Sequence, residues 1–219
     1  MGRSKLDKFR DNQQRDNVLE PGKPIFKSIK GNWQKQQFNN QNPLVLELAC
    51  GKGDFAVGLA RLFPDINFIG VDIKGSRLWT GSSAADREGL KNVAFLRTHI
   101  LGLENFFEVH EVHAIWITFP DPRPREKDTR RRLTYPRFLE IYRKIIKPGG
   151  WVYLKTDNEK LFRYTLDTLS SIEWIKNLTW TENLYASELK DDHYGLKTNY
   201  ELRFIEEGLT IKYMKFQIY

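Results

Sequence analysis

A chain of 219 residues with 40% hydrophobic and 13% aromatic side chains can bury the core of one α/β domain, which excludes a wholly disordered protein. No apolar run approaches the roughly 20 residues of a membrane span, and the opening MGRSKLDKFRDNQQ has no apolar signal core, so no membrane association and a cytoplasmic location are expected. The lone cysteine, Cys50, excludes an internal disulfide and a cysteine-based metal site, the four histidines lack ligand spacing, and no metal is expected.

The formal net charge is +7. Residues 1–42 carry nine Lys/Arg against four Asp/Glu and residues 123–132 carry six against two, which leaves the rest of the chain at −2. A solvated surface explains either island taken singly. Two of them on a mildly acidic body outline a footprint for phosphates, so a polyanionic partner is expected.

Residues 1–42 are polar and weakly periodic, with scattered apolar anchors such as Trp33 and Phe38. They read as a basic, partly disordered N-terminal arm with some helix near residues 25–37. The domain proper is expected over residues 43–219. Leu44 to Ala49 is an apolar run suited to a strand buried on both faces. Phe55, Leu59 and Leu62 then recur at helical spacing until Pro64. Ile66 to Val71 is a second strand ending at Asp72, residues 75–89 a helix weakened by Gly75 and Gly81, residues 92–96 a third strand and residues 112–118 a fourth. From Thr134 a helix carries the stripe Phe138, Ile141, Tyr142 and Ile145, and Lys147-Pro148-Gly149-Gly150 stops it. Trp151 to Lys155 is a fifth strand, and Thr156-Asp157-Asn158-Glu159 opens another helix with Thr156 and Glu159 spaced as a capping box. Tyr200 to Ile205 and Leu209 to Ile218, joined by Glu206-Glu207-Gly208, read as an antiparallel hairpin. The expected fold is α/β: a mixed seven-stranded sheet with helices on both faces and a C-terminal antiparallel hairpin.

Three stretches carry chemistry. The loop after the first strand, Glu47-Leu48-Ala49-Cys50-Gly51-Lys52-Gly53, matches a nucleotide-binding turn, and Asp72 stands where a ribose would be gripped through its hydroxyls. A nicotinamide cofactor would place a pyrophosphate at this loop, where an acid directly ahead of it is repulsive. S-adenosylmethionine has a sulfonium and an ammonium instead, so Glu47 favours a methyl donor. Next, the strand at residues 114–118 runs into Phe119-Pro120-Asp121-Pro122 and the basic run through Arg132. Flanking prolines leave Asp121 few backbone options and aim its carboxylate beside a phosphate-binding run. Last, Lys155-Thr156-Asp157 ends the fifth strand and Thr198-Asn199-Tyr200-Glu201 follows late in the chain.

In order and spacing, these segments resemble the bacterial tRNA (guanine-N7)-methyltransferases, over roughly residues 44–205. FPDP with its Arg-rich sequel and the late T-x-x-E are the specific part. The resemblance implies a Rossmann-like class I fold and S-adenosylmethionine held by Glu47, Gly51, Gly53, Asp72, His99 and Asp121. It implies that Asp121 is the central catalytic acid. Target guanosine contacts would come from Arg125, Asp157, Thr198, Asn199, Tyr200 and Glu201, and the tRNA backbone would meet Lys127, Arg130, Arg131 and Arg132. The substrate would be a tRNA guanosine of the variable loop, with no obligate protein partner, in a monomer or homodimer. Three positions depart from the family pattern. Ala49 replaces the first glycine of the loop, which is tolerable if its φ is negative. His99 replaces an acid, and Arg125 replaces a lysine.

Plainer readings stand beside these. Asp157 also reads as a helix N-cap, Thr198 and Glu201 as surface residues at a strand start, and His99 as a satisfied histidine at a strand end. A methyltransferase acting on another base or on protein is the alternative, although Arg123 stands where amino-methylating enzymes carry an aromatic. A non-enzymatic RNA-binding module is the third reading, and it would need neither Glu47 nor Asp72.

Overall fold

Alternate residues of the central strands face opposite sides of one sheet, and both sides are apolar. Leu44, Leu46 and Leu48 point into one core layer with Trp33, Phe138 and Phe162, whereas Val45 points into the other with Phe55, Leu59 and Leu78. Helices therefore cover both faces, as two-sided apolar strands require. The computed structural model describes residues 3–219. Its strands are β1 (Val18–Leu19), β2 (Leu44–Leu48), β3 (Asn67–Asp72), β4 (Val93–Arg97), β5 (Val112–Thr118), β6 (Ile146–Thr156), β7 (Ile175–Thr181) and β8 (Lys212–Ile218). Helices are α1 (Lys5–Gln14), α2 (Ile25–Ser28), α3 (Asp54–Leu62), α4 (Gly75–Arg87), α5 (Pro136–Ile145), α6 (Glu159–Ser170) and α7 (Asn199–Glu206). Sheet order is β1-β4-β3-β2-β5-β6-β8-β7. All pairings are parallel except those of β8, which runs antiparallel between β6 and β7. No helix among the described residues is long and apolar enough to cross a membrane.

The α/β class holds, with three corrections in detail. Among the described residues the sheet has eight strands rather than seven. The added one, β1, comes from the expected arm: Val18 and Leu19 are buried and pair with Phe95 and Leu96. Trp33 is buried as well, with its indole N–H donating to the Phe106 carbonyl at 2.8 Å and its ring stacked on Phe107. From Arg3 onward the segment is thus built into the domain by a few well-spaced apolar anchors in polar sequence; residues 1 and 2 of the expected arm lie outside the described residues.

The C-terminal hairpin is also different. Tyr200 to Ile205 lies in α7, and the antiparallel partner of β8 on its outer side is β7. Thr198 and Glu201 form a capping box: the Glu201 N–H donates to Thr198 Oγ1 at 3.1 Å and the Thr198 N–H to the Glu201 carboxylate at 3.3 Å. That reciprocal cap outweighs the weak strand preference of Tyr, Phe and Ile. β7 escaped detection because a bulge near Asn177, whose φ is +52°, interrupts its two-residue period. Finally, α6 is capped by Asn158, whose Oδ1 accepts from the Leu161 N–H at 2.9 Å. Neither Asp157 nor a Thr156–Glu159 box performs that task.

Strand order reverses between β2 and β5, and a crevice opens beyond their C-terminal ends. Those ends carry Ala49–Gly53 and Phe119–Pro122.

Candidate active site

Where β2 ends, the chain turns through three left-handed residues, Ala49 (φ +55°), Gly51 (+58°) and Gly53 (+74°). Asp72 braces this loop, with its carboxylate accepting from the Gly51 N–H at 3.0 Å and from the Lys74 N–H at 2.8 Å. A Cβ on Gly51 would meet no atom within 4 Å, so that glycine leaves room toward the crevice. Gly53 has a packing reason instead, because a Cβ there would lie 2.4 Å from the Phe95 ring. The condition set for Ala49 fails, since its φ is positive. A left-handed non-glycine residue costs roughly 1–2 kcal/mol. Ala49→Gly is therefore expected to raise stability by about 1 kcal/mol after glycine's own entropy, seen as a rise of roughly 3 °C in a calorimetric Tm.

Glu47 points from β2 into the crevice and is 3% exposed. Thr118 Oγ1 donates to one of its oxygens at 2.6 Å and the Ala56 N–H to the other at 2.9 Å. Burial pushes its pKa up to about 7 against those two hydrogen bonds. The folded protein therefore binds a proton that the unfolded chain releases from about pH 4.5 upward, and this contribution to stability is lost as pH rises through about 7. Glu47→Gln should remove that decline, so the mutant minus wild-type difference in Tm grows from pH 4.5 to 7 and then levels off. A constant difference across that range contradicts the assignment.

The Phe119–Arg123 corner is held at both ends. Phe119 (φ +49°) donates its N–H to the Lys155 carbonyl at 2.9 Å, and its ring packs on Phe204 of α7. Arg123 (φ +48°) donates its N–H to Asp121 at 3.1 Å and sets its guanidinium 3.3 Å from the other carboxylate oxygen. Left-handed non-glycine residues concentrated at such a corner mark stored backbone strain. Asp121 is aimed by this turn and by Arg123 as well as by its prolines, and it remains exposed to the crevice.

Two clefts meet there. One, of about 520 Å³, is lined by Asp72, His99, Asp121 and Arg131 among others. The second, of about 390 Å³, is lined by Glu47, Gly51, Asp121, Asp157, Thr198 and Tyr200 among others. Ala49, Arg77, Phe119, Pro120 and Asp121 line both. Burial raises the Asp157 pKa, partly opposed by a hydrogen bond from its own backbone and by Lys212.

Other expected site residues line neither cleft. Asn199 donates to Asp54 at 2.7 Å, and Arg125 forms an ion pair with Asp128 at 2.8 Å. Glu201 is fully buried against Lys155 at 2.7 Å and accepts from the Tyr185 hydroxyl at 2.6 Å. Lys127 and Arg130 lie exposed on the 3₁₀ turn Glu126–Arg131. Arg132, expected on the tRNA backbone, is buried: it donates to the Arg123 carbonyl at 3.2 Å and covers the Tyr164 ring. The sequence reading missed Arg77 and the Lys155 pairing. A single arginine in the first turn of a glycine- and serine-rich helix carries no signal, and a strand-end lysine reads as exposed.

The class of protein follows from these findings. Residues 41–214 match the Methyltransf_4 family model, described as "Putative methyltransferase". The solved 16S rRNA methyltransferase KamB superposes with a TM-score of 0.62 at 15% identity, covering 84% of this chain and 91% of that one, a likeness of fold. The fold is that of a Rossmann-like methyltransferase. Among curated sequences, the tRNA (guanine-N(7)-)-methyltransferase of Cytophaga hutchinsonii is 47% identical over 99% of this chain and 98% of its own. The enzyme of that name from Bacteroides thetaiotaomicron is 46% identical over 100% of this chain and 87% of its own. The chain belongs to the tRNA (guanine-N(7)-)-methyltransferase family, as FPDP and T-x-x-E implied.

Proposed function

We propose that this protein transfers a methyl group from S-adenosylmethionine to N7 of a guanosine in the variable loop of tRNA. The observation that carries this is the meeting of two clefts at one exposed carboxylate, Asp121. The donor set suits the methyl donor: room left at Gly51, Asp72 at the end of β3 in the first cleft, and acids rather than phosphate-binding groups at Glu47 and Asp121. When bound, it supplies an electrophilic methyl on a sulfonium.

N7 of neutral guanine is an unprotonated lone pair, so no residue need remove a proton. The protein's work is orientation and electrostatics. Asp121 and Asp157 can accept hydrogen bonds from guanine N1–H and the 2-amino group, which adenine cannot match. As the purine becomes cationic, carboxylates facing it stabilise the transition state more than the ground state. Tyr200, exposed beside Thr198, offers a face for the base to stack on.

Mapping the methylated nucleotide after incubating the protein with a tRNA pool tests the proposal. N7-methylguanosine in the variable loop is expected, and methyl groups confined to another base or to protein would reject it. For the basic island, Lys127→Ala with Arg130→Ala should weaken tRNA binding and flatten its log–log salt slope by about 1.4–1.8 units. A slope equal to wild type across a salt series would mean these charges are only solvated.

A further inference from the structure

Two charged side chains stand at the waist of the crevice, Asp121 and Arg77. Asp121 is held by Arg123, whereas Arg77 is not held by any side chain among the described residues. It lines both clefts, is exposed, and its guanidinium has no hydrogen-bond or ion-pair partner among the described residues. Its placement follows from helix geometry. Gly81, one turn later on the same face of α4, is pressed against the first loop so closely that a Cβ would lie 2.6 Å from the Lys52 carbonyl. Residues four apart share a helix face, so Arg77 stands one turn nearer the crevice on the side that abuts Lys52–Gly53. α4 also has no acidic side chain in its first turn to answer its N-terminal dipole.

We infer that Arg77 binds the α-carboxylate of the methyl donor's amino-acid portion; this rests on the S-adenosylmethionine reading above. A donor whose ribose sits at Asp72 in the first cleft and whose methyl reaches the second must cross the waist. Five residues form that waist, and among them Asp121 is the one anion and Arg77 the one cation. A zwitterionic amino acid matches that pair of charges. Its ammonium suits the acids, but its carboxylate would face Glu47, Asp54, Asp121 and Asp157, all of which line the second cleft. A cation is required to hold it there. Lys52 is the other candidate in that cleft, but it does not line the first. Arg also presents the planar fork that pairs with both carboxylate oxygens at once.

Calorimetric titration of the full chain with two donor analogues tests this. S-adenosylhomocysteine keeps the carboxylate, whereas its decarboxylated form, S-adenosyl-3-thiopropylamine, keeps the amine and the nucleoside alone. Wild type is expected to prefer the former at least tenfold. Arg77→Ala should lower S-adenosylhomocysteine affinity about 10- to 30-fold, leave the decarboxylated analogue within twofold, and leave the Tm unchanged. Lys52→Ala should keep the wild-type preference. Equal weakening of both analogues, loss of the preference in Lys52→Ala instead, or unchanged analogue binding with only a higher KM for tRNA would each overturn the assignment. The last result would make Arg77 a phosphate contact. Failure of wild type to bind either analogue would reject the methyl-donor reading itself, an outcome separate from the others.

Discussion

Asp121→Asn is expected to lower kcat about 10²- to 10³-fold, with the affinity for S-adenosylhomocysteine changed less than about tenfold. The isosteric amide still fits between Pro120 and Pro122 and can still accept from the Arg123 N–H, so the corner keeps its shape. What disappears is one negative charge at the junction of the two clefts. Removing a preorganised charge-stabilising group of this kind typically costs two to three orders of magnitude in turnover, about 2.7–4 kcal/mol. Single-turnover methylation of a tRNA transcript, run beside calorimetry with the product analogue, separates the two effects. Loss of donor binding with kcat retained would make Asp121 a cofactor ligand alone.

The second large effect concerns stability. Lys155→Met should destabilise the fold by about 3–5 kcal/mol, because Glu201 is then left as an uncompensated buried charge. For a chain of this size that corresponds to a fall of roughly 10 °C in Tm. Both partners have no exposed surface, and Lys155 also donates to the Leu196 carbonyl at 3.2 Å. Burial lowers the lysine pKa and Glu201 opposes that shift, so the pair survives only as a pair. Combining Lys155→Met with Glu201→Gln should restore most of the loss, since the amide oxygen can still accept from the Thr198 N–H while its NH2 donates to the Tyr185 hydroxyl oxygen. α7, which contributes Tyr200 and Phe204 to the second cleft, hangs on this pairing. In the single mutant, the KM for tRNA should therefore rise while S-adenosylhomocysteine binding persists. A Tm within 2 °C of wild type would contradict the buried-pair account.

Parts of this protein are legible because local chemistry alone fixes them. Apolar runs such as Leu44–Leu48 have one stable environment, a strand covered on both faces. The order of such runs with helical stripes between them leaves a largely parallel sheet. FPDP has few backbone options anywhere, and the glycine loop followed by Asp72 is a local grammar of turn and acid. Family membership was readable for the same reason.

The rest depended on partners distant in sequence. Tyr200 to Ile205 has strand-forming residues, yet a cap closing over three residues and the apolar contact of Phe204 with Phe119 make it a helix. Val18 and Leu19 became a strand only because β4 offered a free edge. Arg132 reads as one more phosphate ligand in an arginine run until the Arg123 carbonyl and the Tyr164 ring close around it. Composition and short-range pattern decided the fold class and the kind of chemistry. Which charges face the crevice, and which are consumed in holding it open, was decided only by tertiary contacts, because burial and pairing are set by whichever surfaces the folded chain brings together.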